Sequence, residues 1–284
     1  MKLTPNCTVW RLRAAVALCV VLLAPSALRA GGNRTYDESK EAVRFLNRSI
    51  DLWCARPKTP RSPTFLVIFA SGDGGMRGGS KAIYEHVAEQ GRYVAAYSSR
   101  EALKPVKSSG EFMNFPEAAA DIAGLIREAK RLLGLPDSTP TIVSGVSRGA
   151  SMVVFAAGEP SLQPCICGAV AIALTRESDY MKPPDPAERA ASIKLDEKGG
   201  ILLYPALDRL GSIPIAVIQS TNDSYVPSAE SRRLMGPDTP TRRLYEVQAS
   251  NHSFGGGQDQ MLRDVDEALN WIASTIKAPV ATTK

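Results

Sequence analysis

Gly145-Val146-Ser147-Arg148-Gly149 holds a serine between small residues. The stretch follows an apolar, β-branched run and opens a helical run through Met152, Val153, Val154 and Phe155. A strand-to-helix turn this tight projects Ser147 at the strand's C-terminal end, beside a helix N-terminus. A serine hydroxyl needs a neighbouring base to become a nucleophile. The chain has two histidines. His86 sits inside "IYEHVAEQ", an early predicted helix, where a structural histidine is the ordinary reading. His252, in "SNHSFGGG" after the last predicted strand, is the candidate base. An acid that orients the imidazole is expected on the loop "TNDSYVP", where Asp223 follows a strand. Asp179 and Glu230 are alternatives for that role. The order serine, acid, histidine is one that recurs with serines on strand–turn–helix corners.

A second glycine-rich stretch, "FASGDGGMRGGS" at 69–80, follows the first apolar run of the main domain. It fails as a Walker loop, because Gly79-Ser80-Lys81 has the wrong order for Gly-Lys-Ser/Thr. It fails as a dinucleotide fingerprint, because Arg77 stands at the third glycine. Gly72 and Gly74 let a backbone approach a substrate closely. The loop lies two strands before Ser147, where a second oxyanion donor is expected. The expected donors are the backbone N–H groups of Asp73 and Arg148. The loop is thus read as binding an oxyanion as it forms rather than a resting phosphate.

These residues need elements to hold them. Apolar runs at 64–70, 92–98, 139–145, 167–174, 213–219 and 242–248 are nearly continuous, as in strands covered on both faces. Helical patterns lie between them, most clearly at 116–133 and 258–276. The alternation predicts an α/β domain over 64–276, with about six mostly parallel strands and helices on both faces. Residues 37–55 carry Ala42, Phe45, Leu46, Ile50 and Trp53 at helical spacing, so 31–63 reads as an N-terminal helix and a Pro-rich linker. No antiparallel N-terminal strand pair is expected. The Pro-rich, charged segment 175–212 is expected to cap one end of the sheet, and 277–284 is a tail.

Residues 1–30 carry a basic start, an apolar run over 14–24 and small residues before Ala30, the pattern of a signal peptide. The 284-residue chain has a net charge of +5. Removal of Lys2, Arg11, Arg13 and Arg29 leaves 30 basic residues against 29 acidic ones. The balance gives no case for nucleic acid. Cys54, Cys165 and Cys167 remain, an odd number, with a Cys54 bridge to one of the others left open. No metal-ligand spacing occurs, and the chemistry calls for no cofactor.

Together these stretches resemble the α/β-hydrolase superfamily. More narrowly, "SGDGGMR" at 71–77, "GVSRGAS" at 145–151, "ALTRESDY" at 173–180 and the "NHSF" loop resemble the VirJ/AcvB family of bacterial periplasmic virulence-associated proteins. The likeness spans about 64–275. Met76 replaces a usual tryptophan, and "YSSREAL" replaces a usual aspartate-led segment. The resemblance implies a periplasmic or secreted serine hydrolase. It implies as substrate the aminoacyl ester of aminoacylated phosphatidylglycerol, and a link to type IV secretion. Arg77, Arg100, Arg148 and Arg176 could then meet a lipid phosphate, and Asp179 or Glu177 an ammonium. A lipid or small-molecule ester, a membrane-surface contact and a protein partner are all open. So are a generic carboxylesterase, a peptidase, and a non-catalytic binding or secretion-accessory protein on the same scaffold.

Overall fold

The computed structural model describes residues 34–45, 48–103, 113–178, 180–181, 183 and 191–276. The expected signal segment, the tail and Asp179 lie outside the described residues. Ten strands run in chain order as β1 (Tyr36–Phe45), β2 (Arg48–Pro57), β3 (Leu66–Ala70), β4 (Tyr93–Tyr97), β5 (Thr141–Val146), β6 (Gly168–Ile172), β7 (Glu177–Ser178), β8 (Ile201–Leu202), β9 (Ile215–Ser220) and β10 (Arg242–Val247). The helices are α1 (Gly78–Glu89), α2 (Ser99–Ala102), α3 (Phe115–Leu133), α4 (Arg148–Ala157), α5 (Leu203–Ala206), α6 (Ser228–Met235) and α7 (Gln258–Thr275).

Eight strands form one sheet in the order β1-β2-β4-β3-β5-β6-β9-β10, and β7 pairs with β8 separately. From β4 to β10 every pairing is parallel. The six apolar runs of the sequence are strands of this sheet, with ends within about two residues. The strand β3 shows why they read as unbroken apolar runs. Leu66, Ile68 and Ala70 pack into the core with α3 and α4, while Val67 and Phe69 pack into the core with α1 and α7. Both faces are covered, so both phases of the alternation are apolar. The boundaries of α3 follow from local chemistry. Asn114 accepts from the Glu117 amide at 2.8 Å, Pro116 occupies the first turn, and Gly134 ends the helix at φ 66°.

The N-terminal expectation fails. Residues 36–45 and 48–57 form two strands rather than a helix, the sheet has eight strands rather than about six, and an antiparallel pair is present. The helical stripe through Ala42, Phe45, Ile50 and Trp53 leaves out Leu52 and Cys54. Those two are buried in alternation with Ile50, the period of a strand. Pairing of Leu52 with Tyr97 and of Cys54 with Ala95 supplies the burial that a lone helix could not. The outer strand β1 keeps Asp37 to Ala42 exposed, and a charged edge discourages pairing with another chain.

Cys54, Cys165 and Cys167 are all free thiols. Burial pushes the Cys54 thiol up to about 12 and that of Cys167 to about 11, so neither is a ready thiolate. Among the described residues no helix is long and apolar enough to cross a membrane.

His86 has the structural role. Its Nε2 lies 2.9 Å from Asp266 Oδ2, tying α1 to α7. The hydrogen bond to Asp266 raises the imidazole above its ordinary 6.5, more than burial lowers it. A raised value in the folded state stabilises the fold fully below about 6.5, and that contribution is lost as pH rises through the raised value. Melting of His86→Gln beside wild type should therefore show the largest deficit near pH 5 and a shrinking one toward pH 9. A deficit independent of pH would contradict the ion pair.

Candidate active site

Ser147 lies between β5 and α4 with φ 55° and ψ −115°, a strained backbone for a residue with a side chain. Its flanking glycines are required by space. A Cβ at Gly145 would sit 2.4 Å from the Gly149 carbonyl, and one at Gly149 would sit 2.3 Å from the Ala70 oxygen. The helix therefore starts in backbone contact with the end of β3. Ser147 is the N-cap of α4 but makes no capping bond with its hydroxyl. Its Oγ lies 2.9 Å from His252 Nε2 instead. The Ser147 amide donates to Ile172 O at 2.8 Å, which holds the corner against β6.

Asp223 Oδ2 lies 2.7 Å from His252 Nδ1. The carboxylate is buried, and both of its oxygens are hydrogen-bonded. Oδ1 accepts from the amides of Tyr225 at 2.8 Å and Val226 at 3.3 Å, and Oδ2 also accepts from Gln219 Nε2 at 2.9 Å. An accepting carboxylate places the proton on Nδ1 and leaves Nε2 to accept from Ser147. The acid and histidine loops are stitched together by Asn222 Nδ2, which donates to Ala249 O at 2.7 Å, and by the Thr221 amide, which donates to Val247 O at 2.9 Å. The Tyr225 ring meets the His252 ring edge-on at 4.6 Å.

The glycine-rich loop 71–77 leaves β3 directly beside this corner. A Cβ at Gly72 would lie 3.7 Å from Ser147 Cβ. The Gly72 carbonyl accepts from Ser71 Oγ at 3.0 Å, Ser99 Oγ at 3.3 Å and the Gly75 amide at 3.0 Å. The Gly72 amide donates to Ser80 Oγ at 3.2 Å. A peptide unit is planar and trans, so anchoring the Gly72 carbonyl points the Asp73 N–H the opposite way. The Arg148 amide, in the first turn of α4, has no acceptor within the helix.

A cavity of about 480 Å³ opens at Ser147. Its wall includes Asp73, Arg148 and Ser151 on one side and Thr175, Glu177, Tyr180, Asp196 and Lys198 from the 175–212 segment on another. Gly74 is exposed, and a Cβ there would meet nothing within 4 Å. Of the arginines expected at the site, only Arg148 lines this cavity. Arg77 and Arg100 are exposed on α1's N-cap and on α2, and Arg176 is paired with Glu230 at 2.6 Å. Glu230 is held below the usual carboxylate range by Arg233 and Arg176 and makes no bond to His252, so it does not serve as the acid. Among the described residues no group of three or more His, Cys, Asp or Glu side chains could hold a metal.

Four residues that the sequence reading missed support this arrangement: Ser71, Ser80, Ser99 and Gln219. Gln219 is buried near the end of β9, where its polarity ends the apolar run 215–218, which was the available signal. Its amide donates to Asp223 and to Val226 O at 2.6 Å and accepts from the Leu174 N–H at 3.0 Å. Gln219→Leu should lower stability by about 1–3 kcal/mol, because it orphans buried polar groups. Urea unfolding measures this directly, and an unchanged midpoint would contradict it.

No family model matches the chain, and no curated protein does. Solved structures do. A protein assigned as a dienelactone hydrolase from Klebsiella pneumoniae is 15% identical, with a TM-score of 0.61 over 84% of this chain and 98% of its own. Est1E from Butyrivibrio proteoclasticus is 16% identical, with a TM-score of 0.56 over 82% and 99%. The acylaminoacyl peptidase of Pyrococcus horikoshii is 16% identical, with a TM-score of 0.56 over 89% of this chain and 44% of its own, so this chain spans less than half of that enzyme. These likenesses and the strand order show that the chain has the α/β-hydrolase fold.

Proposed function

We propose that the chain is a serine hydrolase that cleaves a carboxylic ester by two-step acyl transfer. The observation that carries this reading is the continuous relay from Ser147 Oγ through His252 to a buried, four-fold hydrogen-bonded Asp223. His252 Nε2 takes the Ser147 proton as Oγ attacks the ester carbonyl carbon. The carbonyl oxygen becomes an oxyanion, which the Asp73 and Arg148 amides receive. One well-placed donor stabilises such a transition state by about 3 kcal/mol. The intermediate collapses, and the alcohol leaves with the proton from His252. Water then gives a proton to His252 and its oxygen to the acyl carbon. The acid departs, and Ser147 recovers its proton. Asp223 stays ionised throughout and holds the imidazole.

The signal-peptide pattern of residues 1–30 supports a periplasmic or secreted location. The resemblance at 71–77, 145–151 and 173–180 supports aminoacylated phosphatidylglycerol as substrate. Glu177 on the cavity wall is a carboxylate suited to an ammonium group. The names of the three structural neighbours also favour an enzyme over a non-catalytic accessory protein on the same scaffold.

Initial rates on 4-nitrophenyl acetate and on aminoacylated phosphatidylglycerol in mixed vesicles test both levels. Ser147→Ala and His252→Ala should each lose at least about 10⁴-fold in kcat, and Asp223→Asn about 10⁴-fold. Wild-type release of free amino acid from the vesicles supports the lipid substrate. Hydrolysis of the simple ester alone would retain the hydrolase and exclude that lipid. Activity that survives Ser147→Ala would overturn the mechanism.

A further inference from the structure

The side chains of Asp73 and Arg148 are bound to each other. Arg148 Nε donates to Asp73 Oδ1 at 2.7 Å and Nη2 to Oδ2 at 3.0 Å, a two-pronged fork on both carboxylate oxygens. These are the two residues whose backbone amides the hydrolase reading assigns to the oxyanion. The Arg148 end is well fixed. Its side chain is 13% exposed, its guanidinium lies 5.8 Å from the centre of the Tyr180 ring, and its carbonyl accepts from the Tyr180 hydroxyl at 2.8 Å. The Asp73 end is not. Its side chain is 63% exposed. It is followed by Gly74, which a Cβ would not bring into contact with anything within 4 Å, and by Gly75 at φ 70°. The Gly72 carbonyl is anchored on the near side of Asp73, and on the far side the Gly75 amide closes the turn onto that carbonyl at 3.0 Å. Within this turn the Arg148 fork is the side-chain constraint on Asp73.

We infer that the Asp73–Arg148 ion pair is a positioning clamp that holds the two oxyanion-hole amides at a fixed separation over Ser147. This inference rests on the hydrolase reading above. It assigns the two side chains to geometry rather than to substrate binding. Nε and Nη2 of Arg148 are already occupied, so the guanidinium edge that would grip an anionic substrate faces Asp73. An ion pair whose carboxylate partner is exposed adds little to stability. Its effect falls on the transition state, where a displacement of about 1 Å costs on the order of 10²-fold in rate. Because the oxyanion donors are backbone groups, replacing either side chain leaves both donors in the chain. A loss of rate then reports their placement.

The test uses the full chain and the neutral substrate 4-nitrophenyl acetate, with kcat and KM measured for Asp73→Ala, Arg148→Ala, Arg148→Lys and the double alanine variant. Affinity for an aryl trifluoromethyl ketone, which forms a tetrahedral oxyanion on an active serine, is measured alongside, and thermal melts establish folding. The clamp predicts a fall in kcat of about 10- to 100-fold for each alanine variant, with KM within about twofold. The double variant should be no worse than either single one, because the same interaction is removed once. Trifluoromethyl ketone affinity should fall in parallel with kcat/KM. Arg148→Lys keeps the charge but not the fork and should lie between. Wild-type kcat in Asp73→Ala, single effects that multiply in the double variant, or a change confined to KM would each overturn the clamp while leaving the hydrolase standing. A wild-type chain that neither turns over the ester nor binds the ketone would instead sink the hydrolase reading, and the clamp with it.

Discussion

The close approach of α4 to the end of β3 is the constraint on which the site depends. Gly149 lies where any side chain would overlap the Ala70 carbonyl, and Gly145 where it would overlap Gly149 itself. This contact forces the chain to turn within one residue, and Ser147 takes a backbone conformation that costs about 1–3 kcal/mol. The strain is maintained because β5 is bonded on both sides by β3 and β6, and because the Ser147 amide is held by Ile172. The same contact brings the 71–77 loop against Ser147. One packing requirement thus sets both the direction of the hydroxyl and the position of the loop that faces it.

A second requirement follows from burial. Asp223 is buried, and a buried carboxylate needs hydrogen-bond partners for both of its oxygens. Four hydrogen bonds supply them, two from backbone amides of its own turn and one each from Gln219 and His252. Gln219 also binds Leu174 and Val226, so Asp223 is supported from the strand beneath it and from the residue that precedes the 175–212 segment. The orientation of the imidazole is thereby tied to the wall of the cavity in which a substrate would lie.

The parallel half of the sheet was legible because its strands are buried on both faces and read as continuous apolar runs. The tight turn at Ser147 was legible because steric exclusion at Gly145 and Gly149 leaves a glycine signature, and its contact with His252 because the chain has two histidines. The hairpin of β1 and β2 was not. Its apolar residues fit a helical stripe, and the preference for strand comes from partners in β4 that are distant in sequence. The hydroxyls of Ser71, Ser80 and Ser99 were equally hidden, since a serine's contribution depends on what its Oγ faces in three dimensions. The expected arginine cluster shows the same limit in reverse. Position at strand ends suggested a shared anion site, yet Arg176 is paired with Glu230, Arg148 with Asp73, and Arg77 and Arg100 are outside the cavity wall.

The central claim is that the Ser147 hydroxyl is activated by its contact with His252. The most direct measurement is the intact mass of the chain after exposure to a fluorophosphonate, followed by peptide mapping. The account predicts a single covalent adduct on the peptide containing Ser147, formed within minutes, with no adduct on the other serines. A folded chain that stays unmodified, or one modified elsewhere, would contradict it.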